Sequence, residues 1–257
     1  MNKKCTKCGK ELPATKEYFN KKSGGKYGLK SVCNDCLRKY RFTNKELIAE
    51  RNKIYYSNNS IKIIDKVITN HKHLMGELIS HYGGCCAVCG ETNLSFLCID
   101  HINNDGAEHR KKVGCGFAFY WWLKRNGFPS GFQVLCWNHN WLKHLEYRSG
   151  INLNTKKALR NRKTLLKLKL GVISHYGGKC TCCGEDNPDL LTIDHTGGGG
   201  CKHRKEIGSN YKLYRWIRDN GYQNEFRILC FNCNSGRYVN GGVCPHEFSN
   251  LRVYKRA

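Results

Sequence analysis

The segment CTCCG (180–184), continued by LTIDH (191–195) and closed by RILCFNCN (227–234), decides the fold of this chain. It contains two cysteine pairs, each with two residues between its members, and the pairs lie about fifty residues apart along the sequence. This spacing is typical of a tetrahedral zinc site with four thiolate ligands. The predicted zinc ligands are Cys180, Cys183, Cys230 and Cys233.

Three polar residues occur at fixed positions within this zinc-binding frame. Asp194 and His195 end an apolar run, LLTI, and Asn234 directly follows the last cysteine. A carboxylate, an imidazole and an amide at fixed offsets from zinc ligands are unusual for a purely structural zinc knuckle. We therefore predict a metal-dependent nuclease site that zinc holds in shape.

The same pattern occurs twice, because residues 79–140 repeat as 173–234 without a gap. About 29 of roughly 62 aligned positions are identical, which indicates a true internal duplication. In the first copy His139 replaces the fourth cysteine, and a Cys3His set is also an accepted tetrahedral zinc site. The predicted zinc ligands of the first copy are Cys86, Cys89, Cys136 and His139.

Each copy has a predicted strand that ends at the Asp-His pair, a second strand, and a helix that starts after the third zinc ligand and carries Asn140 or Asn234 in its first turn. Between the strands, FAFYWWLKRNG (117–127) and YKLYRWIRDNG (211–221) predict helices whose aromatic residues are assigned to the core, with base-stacking platforms as the alternative. The predicted strands are FLCID (96–100), FQVLC (132–136), LLTID (190–194) and FRILC (226–230).

A third pair of Cys-x2-Cys motifs occupies the first forty residues. So short a segment cannot build a self-supporting core, so zinc is expected to supply its folding energy. Its lysines, Lys21, Lys22, Lys26 and Lys30, are open to phosphate contacts. The predicted zinc ligands are Cys5, Cys8, Cys33 and Cys36.

The predicted fold class is α+β, built from small zinc-stapled modules. Residues 154–170 are expected to form a basic amphipathic helix that buries Leu159, Leu166 and Leu170 against a module. The predicted organisation is a zinc ribbon (1–40), a basic helical linker (41–78), a first module (79–150), a second basic helical linker (151–172) and a second module (173–250).

The chain has 44 Lys and Arg against 20 Asp and Glu, a formal charge of +24. This excess favours a polyanionic partner, nucleic acid first, with a generally adhesive basic protein as the alternative. The opening MNKKCTKCGK is not an apolar signal segment, and no stretch is long enough to cross a membrane. An intracellular, cytoplasmic location in a bacterial or phage-infected cell is therefore expected.

Six cysteines lie outside the three predicted sites, and most are expected to be buried or incidental thiols. The tail Cys244-Pro245-His246 follows only the second copy. It is interpreted as a plain turn, with a second metal site shared with Cys201 as the alternative. The remaining cysteines are Cys85, Cys98, Cys115, Cys182, Cys201 and Cys244.

Phosphodiester hydrolysis needs an activated water, a cation on the departing oxygen and a clamp on the phosphate. His195 is suited to accept the proton, and Asp194 and Asn234 offer the hard oxygens that magnesium prefers. Arg204, in a loop rich in glycine, is suited to clamp the phosphate. The thiolate-bound zinc ions have no open position and are expected to be structural.

The order Cys-x2-Cys, strand, Asp-His, strand, Cys-x2-Cys-Asn resembles the HNH or His-Me finger endonucleases, and within them it is similar to the zinc-stapled phage endonuclease VII group. The N-terminal ribbon resembles those of small, rare-cutting HNH restriction enzymes. The resemblance implies two ββα-metal, treble-clef-like domains that leave a 5′-phosphate and a 3′-hydroxyl. It implies His195 as general base and magnesium on Asp194 and Asn234. In the first module the same roles fall to His101, Asp100, Asn140 and Arg110.

The sequence therefore predicts a magnesium-dependent endonuclease of phage or homing type, with three structural zinc ions and one magnesium ion per module. Its partner would be double-stranded DNA, and each module would cut one strand. A monomer that acts as a pseudo-dimer is favoured over a homodimer. The alternatives are a zinc-finger nucleic-acid-binding protein without catalysis and a DNA-junction resolvase. For His109 and His203, a metal ligand, a phosphate contact and a helix cap remain open.

Overall fold

The computed structural model describes residues 1–150, 156–208 and 211–247 of a chain that combines α-helices with short two-stranded sheets. Two compact units are formed, Met1–Asn70 and His71–Ala257. The start of the predicted linker 151–172 and the end of the predicted module 173–250 lie outside the described residues. Among the described helices, none has the length and apolar character needed to cross a membrane.

The first unit begins with a small hairpin whose strands, β1 (Asn2–Lys4) and β2 (Glu11–Pro13), pair antiparallel. Helix α1 (Asn34–Thr43) follows, and helix α2 (Lys45–His81) begins after Asn44 and continues into the second unit. Except for Asn44, the segment 41–78, predicted to be a basic helical linker, lies within these two helices. The buried apolar cluster of this unit has only four members: Cys5, Phe19, Leu29 and Cys33.

The second unit contains both copies of the repeat. In each copy a leading helix, the end of α2 in the first and α6 (Lys156–His175) in the second, precedes a strand, two helices, a second strand and a last helix. In each copy two antiparallel strands pair so that the Asp-His end of the first faces the beginning of the second. The first copy comprises β3 (Leu97–His101), α3 (Gly106–Val113), α4 (Phe117–Arg125), β4 (Phe132–Cys136) and α5 (Trp137–Gly150). The second copy comprises α6, β5 (Leu191–His195), α7 (Gly200–Ile207), α8 (Tyr211–Asp219), β6 (Phe226–Cys230) and α9 (Phe231–Val239).

The predicted elements of the repeat correspond closely to these strands and helices. Strands β4 and β6 have the predicted bounds, and β3 and β5 are shifted by one residue, so that they include the histidine of the Asp-His pair. The assignment of the aromatic residues of α4 and α8 to the core holds only in part. Phe119 is buried, whereas Trp121 and Tyr211 are exposed. The other aromatic residues of these helices pack half-buried on the cores: Phe117, Tyr120, Trp122, Tyr214 and Trp216.

The expectation for the apolar face of α6 was wrong. Leu166 and Leu170 are exposed, whereas Leu168 and Val172 are buried in the core of the second copy. Two positions along an α-helix correspond to a rotation of about 200°, so these two pairs lie on opposite sides of the helix. Leu159, the third residue named, lies outside the residues whose side chains are described.

The two copies contact each other through equivalent residues. The backbone N–H of Asn138 donates to Oδ1 of Asn232 at 2.9 Å, and the N–H of Asn232 donates to Oδ1 of Asn138 at 2.9 Å. Trp141 also stacks on Phe231, with ring centroids 4.6 Å apart. A reciprocal contact between matching residues is the signature of an approximate two-fold axis, here within a single chain.

Candidate metal centres and strand-end histidine sites

Among the residues that the structure describes, four groups of cysteine and histidine side chains could hold zinc ions, and three of them are the predicted sets. Within each group all ligand atoms lie within 4.8 Å of one another. In the first module Cys136 Sγ lies 3.1 Å from His139 Nδ1, so the Cys3His exchange keeps the ligand atoms together. The three predicted groups are Cys5, Cys8, Cys33 and Cys36; Cys86, Cys89, Cys136 and His139; and Cys180, Cys183, Cys230 and Cys233.

The backbone explains why these thiols converge. Gly9, Gly90 and Gly184 follow the first cysteine pairs in left-handed conformations, and each N–H donates to the carbonyl of the first cysteine of its pair at 2.9–3.0 Å. These bonds close the same tight turn three times, and a side chain at these glycines would be strained. The second half of each set lies at the start of a helix, α1, α5 or α9, whose first N–H groups have no partner within the helix. Here the N–H of His139 donates to Cys136 Sγ at 3.5 Å, and the N–H of Cys233 donates to Cys230 Sγ at 3.4 Å.

The N-terminal cluster shows how the backbone stabilises thiolates. Burial acts to raise the pKa of the Cys5 thiol, but hydrogen bonds from the backbone of Cys33, Cys8 and Lys7 outweigh it and lower the pKa to about 6. The N–H of Cys33 donates to Cys5 Sγ at 3.3 Å. Because metal binding requires the thiolate, this arrangement favours a bound cation.

A fourth cluster joins Cys182, Cys233, Cys244 and His246, so the tail takes part in a possible second metal site, the alternative interpretation, but with other partners. The interpretation of the Cys244-Pro245-His246 tail as a plain turn is therefore corrected. The suggested partner Cys201 is exposed and is not in this cluster. Cys182 and Cys244 belong to a possible metal centre and are not incidental thiols.

The two strand-end histidines are held in the same way in both modules. His195 Nε2 lies 2.8 Å from His203 Nδ1, and His101 Nε2 lies 2.9 Å from His109 Nδ1. The other ring nitrogen of His195 faces Gly200, the first residue of α7, where an added Cβ would approach Nδ1 to 2.7 Å. The second histidine of each pair thus bonds to the first, a role that was not among those considered.

The environment lowers the pKa of both strand-end imidazoles, which favours their neutral form. Burial is the largest cause that lowers the pKa of His195, and the nearby charges of His203 and Arg204 lower it further, against an opposing effect of Asp194. Burial likewise lowers the pKa of His101. A neutral imidazole has a lone pair that can accept a proton at neutral pH.

The aspartate beside each histidine forms an ion pair that the sequence analysis did not predict. Asp194 Oδ2 accepts from Arg227 Nε at 2.8 Å, across the hairpin. Asp100 Oδ2 accepts from Lys143 Nζ at 2.5 Å and from Gln133 Nε2 at 2.9 Å. Among the described residues both aspartates make these bonds through Oδ2, so Oδ1 has no such partner there.

The remaining predicted site residues lie on the neighbouring helices. Arg204 was expected in a glycine-rich loop, but only residues up to Gly199 form the loop and Arg204 lies on α7. Arg110 lies at the equivalent position on α3, and both side chains are exposed. Asn140 and Asn234 are half-buried in the first turns of α5 and α9, helices that pack on the hairpins bearing Asp100 and Asp194.

A shallow cavity of about 290 Å³ opens beside His195. The glycine-rich loop 197–199 forms one wall, Lys202 brings positive charge to the cavity, and His203 also lines it. Glu206 and Glu225, which the sequence analysis did not single out, also line it. The first-module counterpart of Glu225 is Gly131, so the repeat itself carried no signal for this acid.

These features define a class: a mixed α+β protein whose small modules carry cysteine and histidine clusters able to hold zinc. A scan against models of protein families and searches of curated proteins and solved structures find no match to the chain.

Proposed function

We propose that this protein is a magnesium-dependent DNA endonuclease that hydrolyses phosphodiester bonds. The observation that carries the proposal is the neutral imidazole at a strand end, bonded to a second histidine, adjacent in sequence to an aspartate and repeated in both modules. Such an imidazole is suited to take a proton from water at neutral pH.

His195 is the proposed general base of the second module, and His101 that of the first. The bond to His203 fixes the orientation of the His195 ring, and Gly200 leaves room for it. Fixed orientation matters because a general base must lie within hydrogen-bond reach of the proton it accepts. The exposed guanidinium of Arg204, on the helix that bears His203, is available to a phosphate.

Each aspartate offers a carboxylate oxygen of the kind that magnesium prefers. Each ion pair uses Oδ2, which leaves Oδ1 as a hard-oxygen donor. Lys143, which reaches Asp100, lies three residues after Asn140 on α5, and residues at this spacing share a helix face. Asp100 with Asn140, and Asp194 with Asn234, would hold the ion, which would neutralise charge on the departing oxygen.

The proposed substrate is double-stranded DNA. A formal charge of +24 favours a polyanion. The reciprocal Asn138–Asn232 contact relates the two modules by an approximate two-fold axis, which is also the symmetry relation between the two strands of a duplex. One chain would therefore present one site to each strand.

The test is the conversion of supercoiled plasmid to nicked and linear forms with magnesium present. His195→Ala and His101→Ala should each slow one cut by about 10²–10⁴-fold, so that nicked circles accumulate. His73→Ala, at an exposed histidine of α2, is the matched control and should behave as wild type. If His101→Ala still linearises the plasmid at the wild-type rate, the first module only holds DNA.

The ion pairs of the aspartates favour a second candidate, a nucleic-acid-binding protein without catalysis. Arg227 and Lys143 already neutralise Asp194 and Asp100, as expected for carboxylates that only stabilise strand ends. DNA binding without added magnesium, together with no nicking at any magnesium concentration, would support this candidate and refute the endonuclease. The Lys143→Met variant distinguishes further between an endonuclease and a binding protein without catalysis. A nuclease should change its magnesium dependence, whereas a binding protein should lose only stability.

A further inference from the structure

We propose that the second module holds two zinc ions bridged by the thiolate of Cys233, so that the loaded chain carries four zinc ions. This centre is independent of the proposed nuclease activity. It would be absent from the first module, where Val88 and His139 occupy the positions of Cys182 and Cys233.

The number of donors matches this centre. Two tetrahedral ions have about eight coordination positions in total, and a bridging thiolate fills two of them, so seven donors suffice. The third and fourth clusters share Cys233 and together supply seven donor residues. These are Cys180, Cys182, Cys183, Cys230, Cys233, Cys244 and His246.

The distances place Cys233 between the two sets. Its Sγ lies 3.4 Å from His246 Nδ1, which in turn lies 3.7 Å from Cys244 Sγ. On the other side, Cys233 belongs to the set in which Cys183 Sγ and Cys230 Sγ are 3.7 Å apart. A thiolate has the lone pairs to bind two ions, whereas a neutral imidazole coordinates through one nitrogen.

Charge balance favours the second ion. Cys233 and Cys244 are 0% and 1% exposed, so unbalanced thiolates at these positions would be costly. Four thiolates around one Zn²⁺ carry a net charge of about −2, and six thiolates around two Zn²⁺ carry about −2 as well. The second ion therefore adds Cys182 and Cys244 as ligands without adding net buried charge.

The position of the centre gives it a structural role. Cys244 and His246 follow α9, so an ion bound there would fasten the C-terminal segment to the second module. Phe96 of the first module packs on the His246 ring, with centroids 4.7 Å apart, and a Cβ at Gly236 would overlap Phe96. The bridged centre would therefore also support the contact between the modules.

The first test is the number of zinc ions per chain in the purified full-length protein, measured by elemental analysis and native mass spectrometry. Four are expected in the wild type, three in Cys182→Val and three in Cys233→His. Each of these two substitutions introduces the residue found at the equivalent position of the first module, where a single zinc site is expected. Cys201→Ser, at an exposed cysteine outside every cluster, is the control and should keep four. Three ions in the wild type, with no loss in Cys182→Val, would overturn the proposal.

The second test addresses the bridge itself. In the chain loaded with ¹¹³Cd, two of the four cadmium resonances should split each other through the shared sulfur. The splitting should disappear in Cys233→His. Four resonances without mutual splitting would exclude a bridging thiolate and overturn the proposal.

Discussion

The contact between the modules can be tested through a single amide. In Asn138→Ala, the N–H of Asn232 loses its acceptor, whereas the N–H at position 138 keeps Oδ1 of Asn232. A buried donor without a partner costs about 1–3 kcal/mol. Asn138 is buried but Asn232 is half-buried, so we expect the lower part of this range, about 1–2 kcal/mol.

Amide hydrogen exchange of the zinc-loaded chain measures this effect directly. A loss of about 1–2 kcal/mol corresponds to roughly 5- to 30-fold faster exchange at Asn232. Asn138→Asp retains an oxygen acceptor and should restore most of the protection. Asn126→Ala is the matched control, because Asn126 Nδ2 donates to the Trp122 carbonyl at an exposed helix end within one module.

Two outcomes would contradict this account of the contact between the modules. If Asn138→Ala leaves the exchange of the Asn232 amide unchanged, the reciprocal bonds do not join the modules in solution. If exchange accelerates equally in Asn126→Ala, the effect is global destabilisation and not the loss of this contact.

Three further predictions concern the site and the metals. Gly200→Ala should lower the free energy of unfolding by about 1–3 kcal/mol, because the new Cβ meets the His195 ring, whereas Gly197→Ala, with no neighbour within 4 Å, should be nearly neutral in denaturant titrations. The pKa of His195, followed by NMR without magnesium, should lie below its ordinary value of 6.5 and should rise in Arg204→Gln. Because this pKa is lowered by folding, the associated stability is complete above pH 6.5 and is lost as the pH falls below it; a stability that increased on acidification through this range would contradict the assignment. Removal of zinc by a chelator should unfold the N-terminal hairpin and expose Phe19, because its buried cluster has only four residues; a circular dichroism spectrum and Phe19 resonances unchanged after chelation would refute this.

The sequence was sufficient to predict the strands of the repeat and the helices α4, α5, α8 and α9, because the cysteine pairs mark both ends of each hairpin. It did not predict α3 and α7, since the glycine-rich segment before Arg204 is typical of a loop. The regular Cys-x2-Cys spacing predicted three clusters whose ligand atoms the structure brings together. Periodicity was a weaker guide in α6, where leucines occur on two sides of the helix. Leu168 and Val172 are buried in the core, and nothing in the local sequence distinguishes them from the exposed Leu166 and Leu170.

The fourth cluster could not be predicted because its ligands have no regular spacing. Cys182 lies between two ligands of another set, and Cys244 and His246 approach it only after α9 has been placed on the hairpin. The ion pair of Asp194 with Arg227 carried a clearer signal. These residues are direct cross-strand partners, so the predicted strands, once aligned, place the two charges opposite each other.

The covalent connection of the two modules has a consequence for their partnership. Two separate subunits come apart when they are scarce, whereas tethered halves experience a high effective concentration at any copy number. In a homodimer any substitution appears in both subunits, whereas in a single chain a substitution can change one module and leave the other as it was. One half could thus keep His139 while the other gained Cys182, Cys244 and His246, an asymmetry that no homodimer can acquire.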